Sequence, residues 1–546
     1  MKPIFLFVFI LVGFPGLKAQ HTFTWEDTLR GSITPARAWW DLKHYDLRVT
    51  AIPETKTISG QVTIRYKVTA SYQIMQIDLQ APLVIEKVIQ DGVELSFKKQ
   101  GDDAYMVELK KTQQVKKAES ITVFYKGIPK EAKNPPWQGG VQWTTDDDGN
   151  PFIATSCQGL GASVWWPCKD HMYDEPDSMT ISITVPEKLM DISNGRLRSI
   201  VSNNDGTKTF TWAVRNPINN YGVNMNIGNY VHFKDTLHGL KGVLDMDYYV
   251  LPYNLDKAKE QFKQAKLMMR AFEHWFGPYP FYTDGYKLVE VPYLGMEHQS
   301  SVTYGNGYEN GYRGRDLSQT GWGLKWDFII IHESGHEWFA NNITYKDIAD
   351  MWIHESFTNY SENLYTEYYY GKQAGSEYVI GTRKAIKNDR PIIGKYNVNS
   401  GGSGDMYYKG GNMLHTIRQI IDNDKKWRKI LKGLNKKFYH QTVETSQIEH
   451  YMIKQSRKDL SKIFDQYLRD ARVPRFDYSI HSGVMSYRWR NTVAGFNMPV
   501  RVRESQQKAY RWLYPTTDWQ TAPIKSDSLI VDENFYVEVR KVQGIQ

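Results

Sequence analysis

The chain has 546 residues, with 68 Lys and Arg against 60 Asp and Glu, a formal net charge of +8. That length exceeds a single hydrophobic core and predicts about two to four domains. The mild, scattered positive bias gives no reason to expect nucleic acid or an anionic membrane as a partner.

Residues 1–19 read as an export leader: Lys2 supplies a basic start, "PIFLFVFILVGFPGL" is apolar, and the stretch closes on the small residue Ala19. The apolar run is roughly 15 residues long, short of the about 20 that a membrane span needs. A retained anchor is the alternative; a bacterial lipid anchor is not, because no Cys follows the run. Cleavage removes Lys2 and Lys18, and no later stretch is apolar enough to span a membrane. The expected location is therefore outside the cytoplasm, periplasmic or secreted. Only two cysteines are present, Cys157 and Cys168, so no disulfide framework holds the fold. They either pair after export or stay as two buried thiols.

From about residue 40 to 235 short alternating runs such as "SGQVTIRYKVTA" and "SMTISITVP" are punctuated by Asp91-Gly92, Asp148-Gly149 and Asp205-Gly206. Period-two alternation broken by turn formers predicts a large antiparallel β domain over 20–235. Near residue 255 the period changes, and "NLDKAKEQFKQAKLMMRAFEHWFG" predicts a helix stopped by Gly277-Pro278. Most of 236–475 then reads as helix, interrupted by glycine-rich loops at 304–323 and 400–411. Alternation returns in "MPVRVRES" and "FYVEVRKV", predicting a β unit over 476–546. The layout is multidomain α+β.

Within "KWDFIIIHESGHEWFANN" the apolar residues recur at helical spacing, so the segment reads as a largely buried helix. His332 and His336 lie four apart on one face of it. Two imidazoles on adjacent turns can take two corners of a tetrahedron around Zn²⁺, and Glu333, one residue round, can reach a water there without ligating. A zinc ion needs a third ligand. Eighteen residues separate His336 from Glu355, enough to end one helix, turn and begin a second that faces it. In this reading the two "HES" triplets differ: His332 is a ligand and Glu333 a base, whereas Glu355 is a ligand and His354 its neighbour. His354 as the ligand instead is the alternative. Asn359 and Glu362 share a face with Glu355 and either orient an imidazole or simply pack.

HExxH followed by 18 residues and Glu resembles the gluzincin aminopeptidases, meaning aminopeptidase N and its relatives, including leukotriene hydrolase. The resemblance extends to "HEWFANNITYKDIADMWIHESFTNYSE", to "LGMEHQ" at 294–299, "YYKGGNML" at 407–414, "SCQGLGASVWWPCKD" at 156–170 and "KDLSKIFDQYLRDARVP". It implies an N-terminal β saddle, a thermolysin-like, mostly α catalytic domain and a small C-terminal β-sandwich. Many members carry a further helical domain, for which this sequence leaves no room. It also implies one Zn²⁺ ion on His332, His336 and Glu355, with Glu333 as general base and Tyr407 as oxyanion donor, Tyr408 being the alternative register. Peptide substrates with a free N-terminus would lie along Gly295 and Met296. Their ammonium would be held by Glu297, with Gln158 as a second acceptor. The sequence departs from the family pattern at His298, Ser156, Glu337 and His354, which puts the backbone contacts, the amine anchor and the tuning of the ligands in question.

The implied reaction is hydrolysis of the N-terminal peptide bond. Two other readings stay open: a zinc endopeptidase, disfavoured by Glu297, and an inactive relative serving as a binding scaffold, disfavoured by the intact ligands and base.

Overall fold

The computed structural model describes residues 22–543. The leader expected at 1–19 lies outside them.

The N-terminal region is built on an eight-stranded sheet whose long strands follow the predicted alternation. Trp40–Ile52 runs antiparallel to Thr57–Val68 and parallel to Ser178–Pro186. In Ser178–Pro186 every second residue, Met179, Ile181, Ile183 and Val185, turns into the core, as a pleat with one buried face requires. A four-stranded sheet beside it contains Pro151–Ser156, and the chain leaving that strand delivers Gln158 to the interdomain cleft. The short helix Pro35–Ala38 is clamped to this region through Arg37. That guanidinium is fully buried and donates to Asp78 at 2.6 Å and to the carbonyls of Arg30 and Ser32. Both cysteines are buried and free.

A five-stranded sheet follows. Val231–Gly239 and Gly242–Val250 form its hairpin, and Tyr286–Glu290, Val302–Tyr304 and the edge strand Gly295–Met296 complete it. The domain boundary expected at 235/236 falls inside Val231–Gly239, so it must be moved to before that strand. The expectation of a mostly helical middle region did not include the strands Tyr286–Glu290 and Val302–Tyr304. Every residue of both strands is buried, so neither shows the alternation that reveals a half-exposed strand.

The helical region begins with Leu255–Gln261 and Lys263–Phe276, the latter ending where Gly277 closes it. Behind it pack Phe328–Gly335, Trp352–Tyr370, Tyr408–Ile421 and Asp424–Lys437. The C-terminal β region has a four-stranded sheet led by Arg475–His481 and a three-stranded sheet around Val500–Glu504. Its buried residues, among them Phe476, Trp489 and Val502, join the same apolar cluster as the helices. The N-terminal cluster is separate but extends to Val289, Tyr293 and Met296 of the five-stranded sheet. The cleft between the two clusters holds the candidate site. Among the described residues no helix is long and apolar enough to cross a membrane.

Arg37→Met should destabilise the N-terminal region by about 3–5 kcal/mol, because it leaves Asp78 buried without its cation. The check is a urea titration followed by tryptophan fluorescence. Lys56→Gln, which removes an exposed pair with Glu131, should stay within about 1 kcal/mol of the parent.

Candidate metal centre

The HExxH segment is not one continuous helix. Asp327 caps Phe328–Gly335 by accepting from the amides of Ile329 and Ile330. After His336 the chain enters a wide π turn, Glu337–Asn341, with non-helical torsions at Phe339 and Ala340. His336 itself keeps right-handed helical torsions, so it still lies one turn from His332. The break has a use, as π turns at functional sites often do. It swings the carbonyl of Phe339 to where it accepts from His336 Nδ1 at 3.1 Å, and Thr358 Oγ1 lies 3.0 Å from the same nitrogen. His332 Nδ1 donates to Glu362 Oε1 at 2.7 Å. Both imidazoles therefore carry their proton on Nδ1 and turn Nε2 inward.

Glu355 meets them from the facing helix, Trp352–Tyr370. Its Oε2 lies 3.8 Å from His332 Nε2 and 3.5 Å from His336 Nε2. This oxygen is buried and has no hydrogen-bond partner. Burial alone would raise the pKa of Glu355, but the neighbouring imidazoles outweigh it and hold the carboxyl far below the usual carboxylate range. One ligand atom from each of His332, His336 and Glu355 lies within 4.8 Å of the others. Two neutral-imidazole nitrogens, one charged oxygen, a buried site and no competing donor form a donor set that zinc takes readily. The residues fit the metal.

Such convergence needs close helix packing, and glycine permits it. A Cβ on Gly335 would lie 2.6 Å from Ser361 Oγ, and one on Gly410 would run into the Ser356 side chain. Both contacts are to the Glu355 helix, which is thus gripped from two sides.

A cavity of about 610 Å³ opens over these ligands. It is lined by Gln158, Gly295, Glu297, Glu333 and Tyr407 as well as by the three ligands. Glu333 is buried, and desolvation raises its pKa to about 7 against the opposing pull of His332. Tyr407 stands over His332, ring centroids 6.1 Å apart, and the carboxylate acting on it most strongly is Glu355; for Tyr408 it is Glu362. The register with Tyr407 facing the ligands is the one observed. Gly295 sits so close to the HExxH helix that a Cβ would lie 2.6 Å from Ile329 Cγ2. The Met296 side chain, 1% exposed, packs into the N-terminal core, so only its backbone is left to meet a peptide. Residues on a strand alternate sides, and Met296 follows Gly295, which faces the site.

Glu297 is 2% exposed and accepts from Tyr221 OH at 3.1 Å and from Gln158 Nε2 at 2.6 Å. The same Gln158 amide donates to Glu355 Oε1 at 2.8 Å. One glutamine from the β domain thus bridges the candidate amine anchor and a candidate metal ligand. It is placed as a donor to both carboxylates, a positioning role that the sequence reading had not assigned.

The departures from the family pattern lie outside the cavity lining. His298 is fully buried, its Nδ1 3.2 Å from Thr303 Oγ1, and burial lowers its pKa to about 3, so it stays neutral. His354 is not a ligand: its Nε2 accepts from the Tyr345 amide at 3.0 Å under a stacked Tyr345 ring. Glu337 points backwards to Ser300 N and Tyr279 OH. Ser156 is buried where its strand ends. Of the pair left open, Glu362 is the residue that orients an imidazole, itself held by Asn359 Nδ2 and by Tyr378 OH at 2.6 Å.

Comparison with known proteins agrees with this geometry. The family models described as Peptidase M1 N-terminal domain and Peptidase family M1 domain match residues 42–221 and 260–467. This chain belongs to the M1 peptidase family, the gluzincin aminopeptidases. It is 24% identical over 330 residues to leucine aminopeptidase 2 of Vanderwaltozyma polyspora, covering 57% of this chain and 46% of that protein. It is 22% identical over 479 residues to human glutamyl aminopeptidase, covering 82% and 45%. The chain thus spans less than half the length of these relatives. In fold it resembles an M1 zinc metallopeptidase of Deinococcus radiodurans, solved as a variant bound to a Tyr-Ser-Ala substrate. That match has a TM-score of 0.66 at 20% identity and covers 80% of this chain and 95% of the other.

Glu362→Gln should weaken zinc binding by about 10–100-fold, the usual size for losing a group that orients a metal-binding histidine. Competition against a chromophoric chelator measures it; unchanged affinity would mean that Phe328–Gly335 packing alone sets the His332 ring.

Proposed function

We propose that this chain is a zinc-dependent aminopeptidase that removes the N-terminal residue from peptides bearing a free amine. The observation that carries the reading is Glu297, a carboxylate buried in the wall of the metal cavity and held by two neutral donors, Tyr221 and Gln158. A substrate ammonium would find an uncancelled negative charge there. A chain continuing past that point would place an uncharged amide against the carboxylate and meet a wall already filled by Tyr221. This is what disfavours the endopeptidase.

The rest of the reading follows from the cavity lining. One ion is proposed, because His332, His336 and Glu355 form the one such convergent group found among the described residues. When bound, zinc supplies a Lewis acid that makes water nucleophilic near neutral pH and polarises the scissile carbonyl. Glu333 takes the proton from the attacking water and passes it to the leaving amine. The Tyr407 phenol, whose pKa burial and the neighbouring Glu355 raise well above the ordinary tyrosine value, is protonated at neutral pH and donates to the carbonyl oxygen as negative charge builds. Gln158 holds Glu297 and Glu355 at a fixed separation, so the amine anchor and the metal keep one residue's spacing between them. The leader read in residues 1–19 would deliver the enzyme to the periplasm or the exterior.

Three results are expected. An aminoacyl-amide should be hydrolysed and its N-acetylated counterpart should not, with activity lost to a chelator and restored by Zn²⁺; equal cleavage of the two substrates would leave an endopeptidase. Tyr407→Phe should lower kcat by about 10²–10³ with KM little changed. Glu297→Ala should instead erode the preference for the free amine.

A further inference from the structure

A second cavity, of about 460 Å³, opens on the opposite side of the helical region beside the tip of the hairpin Val231–Gly239/Gly242–Val250. Leu240, Phe276, Pro278 and Tyr439 give it an apolar wall, and Lys241, Lys432 and Lys436 stand around it. We propose that this cavity binds a small anionic amphiphile, an alkyl or aryl body ending in one carboxylate, with the body against Phe276, Pro278 and Tyr439 and the head among the three lysines.

The apolar half of the argument is exposure. Leu240 is 58% exposed at the hairpin tip and Tyr439 is 40% exposed, and they flank the same opening. Covering such surface contributes about 25 cal/mol per Å². The volume falls within the ~300–1,000 Å³ typical of small-molecule sites, which combine mostly apolar walls with a few placed polar groups.

The polar half is charge. The helix Asp424–Lys437 buries Trp427, Ile430, Leu431 and Leu434 on one face and carries seven Lys and Arg against a single acid, Asp424. None of Lys241, Lys432 and Lys436 forms an ion pair among the described residues; Lys241 lies over the Tyr439 ring at 4.9 Å. The carboxylate of Glu273, which acts on Lys432, is already hydrogen-bonded by the amides of Leu240 and Tyr279 and by the Tyr282 hydroxyl. Burial and the neighbouring Arg428 lower the pKa of Lys432 against a smaller opposing pull from Glu273, so the cation is only partly compensated. A carboxylate placed there relieves the repulsion from Arg428. A polyanion would match the charge but leave the apolar wall uncovered, so the small amphiphile is the better fit.

The place of this cavity in the fold is also specific. Phe276 packs edge-on against Phe339, ring centroids 5.1 Å apart, and Trp338 Nε1 donates to Gly277 O at 3.1 Å. Its wall is therefore the back of the π turn that orients His336.

Isothermal titration of the whole protein with sodium dodecanoate, kept below its micelle concentration, tests the proposal without using activity. Saturable binding at one molecule per chain is expected. It should weaken about tenfold or more in Lys432→Gln/Lys436→Gln and in Leu240→Asp, with Leu240 and Lys436 exposed and Lys432 half-buried. Dodecyltrimethylammonium and acetate should each bind about tenfold or more weakly than dodecanoate. No saturable binding at millimolar dodecanoate, equal binding of the cationic amphiphile, or unchanged affinity in both variants would overturn it. Acetate binding as tightly as dodecanoate would also overturn it, reducing the site to an anion patch. So would adsorption to phosphatidylglycerol vesicles with no one-to-one dodecanoate binding, which would make the face a membrane contact.

Discussion

Everything in the candidate site depends on four glutamates kept close together out of water. Glu297, Glu333, Glu355 and Glu362 are all buried; the charge on Glu355 raises the pKa of both Glu297 and Glu333, and that on Glu297 raises the pKa of Glu333. Like charges in a low-dielectric site repel strongly unless something of opposite sign is shared among them. The protein offers hydrogen-bond donors to three of them: Gln158 to Glu297 and Glu355, Tyr221 to Glu297, and Asn359 and Tyr378 to Glu362. One oxygen, Glu355 Oε2, is given only the faces of two imidazole nitrogens. That arrangement is electrostatically sensible around a divalent cation, and it makes the metal a part of the packing as well as of the chemistry.

The β domain is part of the same construction. Gln158 leaves a β-domain strand, Tyr221 follows the eight-stranded sheet, and both end on Glu297 of the five-stranded sheet. The backbone of that glutamate is tied too: Asn341, from the π turn, donates to Glu297 O at 2.9 Å and accepts from Asn219 at 3.1 Å. In the proposed reading, selectivity for a free amine is thus a property of the joint between domains. A small shift of one domain on the other would change the distance from amine anchor to metal before it disturbed the ligands themselves.

The ligands were legible in the sequence because their geometry is local: residues four apart share a helix face, and a second helix supplies the third. Glu362 is legible in the same way, seven residues and two turns after Glu355. The π turn was not, since nothing in "HEWFANN" distinguishes a wide turn from a continuing helix; the choice is made by Trp338 and Phe339 seeking Gly277 and Phe276 across the core. Tyr221 and Tyr378 were missed because each approaches from a distant segment without a motif around it. The direction of the Met296 side chain was not legible either, because a motif names a stretch, whereas a strand sends alternate side chains to opposite sides.

Net charge was the least informative sequence feature, and the structure explains why. A formal +8 spread over 546 residues reads as scattered, yet folding sorts it by sign. Carboxylates line the metal cavity, where Arg315 is the one basic residue other than the histidines in its wall, while Asp424–Lys437 turns its lysines outward on the far side. The field inside the cavity is therefore opposite in sign to that of the chain as a whole. Low-dielectric walls focus such a field, so the positively charged N-terminus of the proposed substrate would be drawn inward by local geometry even though the average charge of the protein would repel it.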